Sequence, residues 1–230
     1  MRGKRIKVNK ITTATEAITR IKDGDVLLVG GFLACGSPET LIKALLDNSE
    51  AKDLTVVSND TGTTETNMIK VMQQGRVIKV HSTYIGANPL TGQMLINDEE
   101  SVMLYPQGTL AEKIRIGGAG VAGFYTRVGV GTVVEKRKEK RLFDGVEYLL
   151  ERPLRGDVAL VKATIADKSG NLFLRGSTKN FNVVMAHAAG YVIAEARKIV
   201  EVGELDPELV NIPGIFVDAL VQSDDVLEGE

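Results

Sequence analysis

The chain contains no tryptophan, one cysteine, two histidines and only 5% aromatic residues. Each shortage excludes a class of protein. A lone cysteine, Cys35, allows neither an internal disulfide framework nor a cysteine-cluster metal site, and it fits the reducing cytoplasm. His81 and His187 have no carboxylate or second histidine at ligand spacing, so no metal centre is expected and both read as structural. Scarce aromatics and a formal charge of -2 argue against base-stacking platforms and against the basic face of a nucleic-acid binder. No window approaches the roughly 18 apolar residues that cross a bilayer. The basic start MRGKRIKVNK runs into TTATEAITRIKDGD rather than into a signal-peptide core, so neither a membrane span nor export is expected. GxSxG, Walker and zinc patterns are also missing.

What is present is 230 residues, 43% of them hydrophobic, which is enough for one sizeable core. A single domain over 1–230, with a polar tail frayed from about 222, is the simplest organisation. Thr13-x-x-Glu16 is a capping-box spacing, and Ala17, Ile18 and Ile21 continue at helical period until Gly24. Val26 to Phe32 is a continuous apolar run of the kind found in doubly buried strands. It ends in Gly30–Gly36, and Ser37-Pro38-Glu39 then carries three helix-start signals: a serine N-cap, a proline at N1 and an acid in the first turn. Strand, glycine loop and helix N-terminus together gather unpaired N–H groups where an anion such as a pyrophosphate is welcome, although most glycine-bearing turns of this kind are only tight turns.

Leu54–Ser58 repeats the strand pattern and ends in Asn59-Asp60-Thr61-Gly62. Asn59 is therefore a candidate to touch a ligand beyond the strand ends, or equally a turn or cap residue. A helix is expected from Thr64 to Gln74 and a strand from Val77 to Thr83. IGANPLTGQ reads as a loop with Asn88 and Gln93 as amide donors, VMLYP as a short strand, and Pro106 as the start of a helix over TLAEKIRI. This alternation predicts an α/β protein, a three-layer αβα sandwich with a mostly parallel sheet. Beyond Thr132 the charge run Lys136–Arg141 and the Asp144-Gly145 turn predict a hairpin. Strands follow over Asp157–Asp167, Tyr191–Ala196 and PGIFVDALV, with a second hairpin at Asp167–Asn171 and a helix over Asn182–Gly190.

The densest feature is GGAGVAGFYTRVGVGT, residues 117–132, with six glycines. Each costs roughly 0.5–1 kcal/mol against alanine inside an element, so positive φ or close approach is expected there. Gly118, Gly120 and Gly123 spell GxGxxG, but a helix precedes them and β-rich sequence follows, the wrong order for a dinucleotide site. Cys35 has no identifiable partner base and reads as a packed thiol.

Three separated segments, GGFLACGSPETLI, PQGTLAEKIRIGGAGVAGFYTRVGVGT, and KNFN with GELDPELVNIPGIFVD, resemble the alpha subunit of class I CoA-transferases, the acetate, acetoacetate and butyrate CoA-transferase family. The resemblance covers nearly everything from the first helix to about Val221. It implies a three-layer fold of CoA-transferase type and a heteromeric enzyme of two alpha and two beta chains. CoA then moves between carboxylic acids through an acyl-glutamyl anhydride and an enzyme thioester. CoA is a substrate, and no cofactor is implied. In that family the glutamate nucleophile sits in an ENG or EXG motif of the beta subunit. This chain has none, and Glu39, Glu65 and Glu112 fall in expected helices, so no catalytic residue is assigned here.

The resemblance assigns CoA binding to the loop Gly30, Gly31, Phe32, Leu33, Ala34, Cys35 and Gly36. It also suggests that Asn59 and the backbone of Gly117, Gly118, Ala119 and Gly120 line the acyl end as oxyanion donors. Arg127 stands where many members have proline. On the residues alone, a stand-alone module of the same fold that binds acyl-CoA or a sugar phosphate stays open.

Overall fold

The computed structural model describes residues 9–136 and 138–226. Thr13 opens helix α1 (Ala14–Ile18): its hydroxyl accepts the Glu16 N–H at 3.2 Å and the Glu16 carboxylate accepts back from the Thr13 N–H, as the T-x-x-E spacing predicts. The helix is shorter than its apolar period, because tight turns take over before Ile21. Strand β1 (Val26–Val29) likewise stops at Gly30, three residues before the apolar run ends. Helix α2 (Glu39–Asn48) begins one residue later than Ser37-Pro38 suggests; Pro38 is the N-cap and makes no side-chain cap.

Strand β2 (Leu54–Ser58), helix α3 (Asn67–Gln73) and strand β3 (Val77–Ser82) follow in the predicted order. The segment expected to be a loop, IGANPLTGQ, instead supplies most of helix α4 (Pro89–Asn97). Asn88 caps it by accepting the Leu90 N–H at 3.0 Å, and Pro89 fills N1, so two helix-start devices outweigh the interior Gly92. Strand β4 (Val102–Leu104) leads to helix α5 (Gln107–Ala119). A small antiparallel sheet then forms from β5 (Phe124–Thr126), β6 (Lys140–Phe143) and β7 (Val146–Glu151). The Asp144-Gly145 turn between β6 and β7 has positive φ at both residues, 51° and 76°, as a two-residue primed hairpin requires.

The remaining elements are β8 (Gly156–Asp167), β9 (Leu172–Phe173), α6 (Asn182–Ala188), β10 (Ala189–Val200) and β11 (Ala219–Gln222). Strand β10 outruns its expected span at both ends because it pairs with β8 along almost its whole length. PGIFVDALV is split, its first half a 3₁₀ turn over Gly214–Phe216.

The main sheet runs β4-β3-β2-β1-β8-β10-β11, all parallel, with β9 antiparallel on β8. Alternate residues of β1 serve opposite faces. Leu27 and Val29 join the apolar cluster of α1, α2 and α3, while Leu28 joins that of α5 and α6. The result is the expected αβα sandwich. The chain builds outward from β1 to β4 and then returns to place β8 on the other flank of β1, so the sheet order reverses between β1 and β8. Open α/β sheets bind ligands at such a switch point, beyond the carboxyl ends of the strands. Among the described residues no helix is long and apolar enough to cross a membrane.

The glycine stretch begins as helix. Gly117 and Gly118 do not leave a short helix; they form the last turns of α5, which ends at Gly120 in the left-handed conformation (φ 73°). A Cβ on Gly117 would overlap the Leu154 carbonyl, and one on Gly118 would lie 2.5 Å from the His187 carbonyl. These glycines let α5 pack against the 154 turn and the end of α6. Helix α5 is tied to the small sheet by Lys113, whose Nζ lies 3.0 Å from the buried Glu151 carboxylate, with Lys138 on its other oxygen. Burial pushes the Lys113 ammonium down, and the Glu151 bond opposes that.

Two alanines on one helix should therefore act in opposite directions. Gly118→Ala is expected to destabilise by about 1–3 kcal/mol, because backbone must move on both sides. Gly108→Ala, where a Cβ meets nothing within 4 Å, should stabilise by about 0.5–1 kcal/mol. Urea unfolding of the two variants against the parent checks both signs.

Candidate functional site

The loop 30–36 sits at the switch point, where Gly30 N–H donates across to the Leu160 carbonyl of β8. It folds back on itself through reciprocal bonds between Phe32 and Cys35, with positive φ at Leu33 (46°) and Ala34 (68°). Such a turn favours Asn-Gly; holding two side-chain-bearing residues there stores on the order of 1–2 kcal/mol each. The strain persists because the loop is clamped from both sides. Asn180 accepts from Gly31 N–H at 3.2 Å and donates to the Cys35 carbonyl at 3.0 Å. Asn182, fully buried, donates to the Gly36 and Thr178 carbonyls at 2.9 and 2.8 Å and accepts from Lys162 N–H at 3.0 Å. A Cβ on Gly30 would occupy the space of the Asn182 amide.

On the other side Asp60 accepts from Leu33 N–H at 2.8 Å and from Gly62 N–H at 2.5 Å. Burial pushes its carboxyl up while these two bonds pull it down. The void beneath the loop measures only about 10 Å³, about one water, and the buried Ser58 hydroxyl borders it without a partner among the described residues. A ligand at this loop therefore meets its outer face, where Leu33, Ala34 and Cys35 are exposed.

The helix start does not offer the open anion site that its sequence suggests. Leu41 N–H, in the first turn of α2, donates to Glu195 at 3.0 Å, so a buried carboxylate already faces the positive end of the helix. Ser37 donates to Glu39 at 2.6 Å rather than capping.

Asn59 lies at the carboxyl end of β2. Its Oδ1 accepts from Thr83 (2.5 Å) and Gln107 (3.3 Å), its carbonyl accepts from Thr83 and Tyr84 N–H, and its Nδ2 has no acceptor among the described residues. Tyr84 meets Phe32 edge-on at 6.3 Å, which brings Asn59 and the loop to one crevice. Gln107 was not singled out by sequence; only its place at a helix start, beyond a strand end, hinted at exposure there. Gly117, Gly118, Ala119 and Gly120 are not brought to this crevice. They lie at the far end of α5 from Gln107, about 15 Å away at 1.5 Å per residue, and their N–H groups belong to the helix and its cap. Glu112 pairs with Arg115 on the α5 surface, Glu65 is exposed, and Arg127 is exposed in the turn after β5. His187 bonds the Val183 carbonyl and packs on Phe216. The Cys35 thiol is exposed rather than packed; it lies 3.1 Å from the Ser177 hydroxyl, with no base beside it among the described residues.

His81 stacks on Tyr105, with Nδ1 2.9 Å from its hydroxyl. Burial, with Lys79 and Lys113 nearby, pushes the imidazole down to about 4, and burial with Glu151 pushes the phenol up to about 12. Both are neutral at pH 7.

Residues 11–223 match the coenzyme A transferase family. The chain is 47% identical to the acetoacetyl-CoA:acetate/butyrate CoA transferase alpha subunit of Clostridium acetobutylicum, over 87% of this chain and 92% of that one. It is 45% identical to the acetate CoA-transferase subunit alpha of Escherichia coli, over 93% and 97%. Among solved structures, an acyl-CoA transferase of Escherichia coli superposes with a TM-score of 0.85 at 24% identity. All of this chain matches, but it spans only 50% of that longer chain. The glutaconate coenzyme A-transferase of Acidaminococcus fermentans gives 0.81 at 20% identity, over 93% of this chain and 75% of that one.

Two measurements check this geometry. Asn182→Ala strands the Gly36 carbonyl and the Lys162 N–H in the interior and should cost about 3 kcal/mol in denaturant unfolding, at roughly 1–3 kcal/mol per orphaned group. His81 binds its proton less readily folded than unfolded, so it adds stability above its unfolded value near 6.5, and that stability fades as pH falls toward about 4. His81→Asn should flatten the slope of stability against pH in that window; an unchanged slope counts against a buried, neutral His81.

Proposed function

The chain belongs to the coenzyme A transferase family, and from that premise we propose that it is the alpha subunit of a cytoplasmic, heteromeric enzyme that moves CoA between short-chain carboxylic acids of the acetate, acetoacetate and butyrate class. Coenzyme A enters as a substrate, the partner is a beta subunit, and the assembly is α2β2.

The observation that carries the division of labour is the state of this chain's own carboxylates around the crevice. Glu39 accepts from Ser37 and from the Asn67 N–H and amide; Asp60 accepts from two backbone N–H groups; Glu195 is enclosed with Lys162, Ser223 and Leu41 N–H. A carboxylate whose lone pairs are already bound is a poor nucleophile. The attacking glutamate therefore comes from the partner. Its oxygen adds to the acyl-CoA carbonyl, the C–S bond breaks, and an acyl-glutamyl anhydride and CoA thiolate result. The thiolate then attacks the glutamyl carbonyl, releasing the first acid and leaving a glutamyl thioester that a second acid opens in reverse order.

This chain's part is to bind and stabilise. The outer face of the 30–36 loop forms a wall for the CoA portion. Asn59, with its uncommitted Nδ2 beside the Gln107 amide, supplies donors toward the carbonyl oxygen as negative charge develops there.

The purified chain alone should show negligible exchange between acetyl-CoA and acetoacetate or butyrate, and co-production with a beta-type subunit should restore it. Full activity of the single chain would sink the reading. In the restored enzyme Asn59→Ala should lower kcat about 100-fold with a smaller change in KM, the size expected for losing one oxyanion donor.

A further inference from the structure

Alongside the loop lies a cavity of about 260 Å³ whose walls carry three cations: Lys162 on β8, Arg175 after β9 and Arg197 on β10. The loop contributes Ala34 and Gly36. Their two N–H groups are the ones within 30–36 that no described acceptor takes, whereas Gly30, Gly31, Phe32, Leu33 and Cys35 are all bonded internally. Lys162 is nearly buried (side chain 12% exposed) and is balanced by Glu195 at 3.2 Å. Asp225, 56% exposed, sits at the rim, 3.3 Å from Lys162 and 3.4 Å from Arg197. Arg175 has no side-chain acceptor among the described residues, while its backbone N–H is anchored on the Thr164 hydroxyl at 2.9 Å.

We propose that this cavity binds a phosphoryl anion of the size of phosphate or pyrophosphate, held between the Arg175 and Arg197 guanidinium groups with Lys162 and the loop N–H groups behind it. Asp225 shows the geometry: a carboxylate already bridges two of the cations at the mouth, as an internal stand-in that a better anion displaces. Donors arrive from three walls and outnumber what the two oxygens of a carboxylate can accept, whereas a phosphoryl group offers three or four oxygens, and guanidinium forks match it in pairs. The occupant touches Ala34, a residue held at positive φ, so binding braces the strained turn from its open side. The binding of a free anion stands apart from the transferase reading, whereas an assignment to the CoA phosphates rests on it.

Calorimetry and thermal unfolding of the full chain at constant ionic strength, with phosphate, pyrophosphate, acetate and CoA as separate ligands, test it. Pyrophosphate at about 100 times its Kd should raise Tm by about 5 °C or more. Arg175→Ala, whose side chain makes no bond that the fold needs, should weaken binding at least 10-fold. Asp225→Asn should tighten it, since the competing carboxylate is gone. Binding of free pyrophosphate that is sensitive to Arg175→Ala assigns the site to free anions; the same sensitivity seen with CoA alone assigns it to the CoA phosphates. Absence of binding by either ligand, equal binding of acetate, or affinity unchanged in both Arg175→Ala and Arg197→Gln overturns the proposal.

Discussion

The contact on which the rest depends is the Asn182 amide set against Gly30. One buried side chain accepts from β8 and donates to the end of the loop and to the turn before α6. It fills the place where any other residue at 30 would carry its Cβ. Because β1 and β8 are the strands between which the sheet order reverses, this amide fixes the loop at the switch point. With Asn180 bonded to the same loop, the backbone at Leu33 and Ala34 is held in a conformation it would otherwise leave. Strain of this kind survives only where the surroundings over-determine it, and two asparagines and Asp60 do so from opposite sides.

The same economy governs charge. The first turn of α2 attracts an anion, and the fold supplies its own: Glu195, which brings Lys162 with it. Burial pushes the Glu195 carboxyl up, while Lys162, Leu41 N–H and Ser223 oppose that. Removing either partner of such a pair would leave an uncompensated charge inside, worth about 3–5 kcal/mol. The consequence for ligands is a displacement of the positive region. It lies not on the helix axis but at the mouth beyond Lys162, where Arg175 and Arg197 stand.

Much of this was legible in the sequence, and the failures have physical causes. Strand order class, the capping box at Thr13 and the primed turn at Asp144 follow from local rules, and local rules decided them. The glycines of α5 were read correctly as marking close approach, but approach by what depends on Leu154 and His187, far away in sequence. Alpha-helical hydrogen bonding runs through Gly117 and Gly118 because tertiary packing outweighs their weak propensity. In IGANPLTGQ the local signals conflict: Gly92 favours a loop, and the Asn88-Pro89 start overrides it. The polar residues that build the crevice, Gln107, Asn180 and Asn182, carry no spacing signal at all: Gln107 meets the Asn59 side chain and the two asparagines meet loop backbone, all far away in sequence.

The proposed division of the chemistry between two chains suits this architecture. A loop held by side-chain acceptors needs Asp60 and the asparagines as structural ligands, and a helix start in the interior needs Glu195. Asp60, Glu39 and Glu195 are thus already engaged in holding backbone around the loop and the helix start. A free glutamate placed among them would face Asp60 and Glu39 at short range and lose ionisation to like-charge repulsion. A nucleophile on a separate subunit, as proposed, would avoid that conflict: it would approach from the solvent side, where Gln107 and the outer face of the loop are exposed, and it need not serve the fold that receives it.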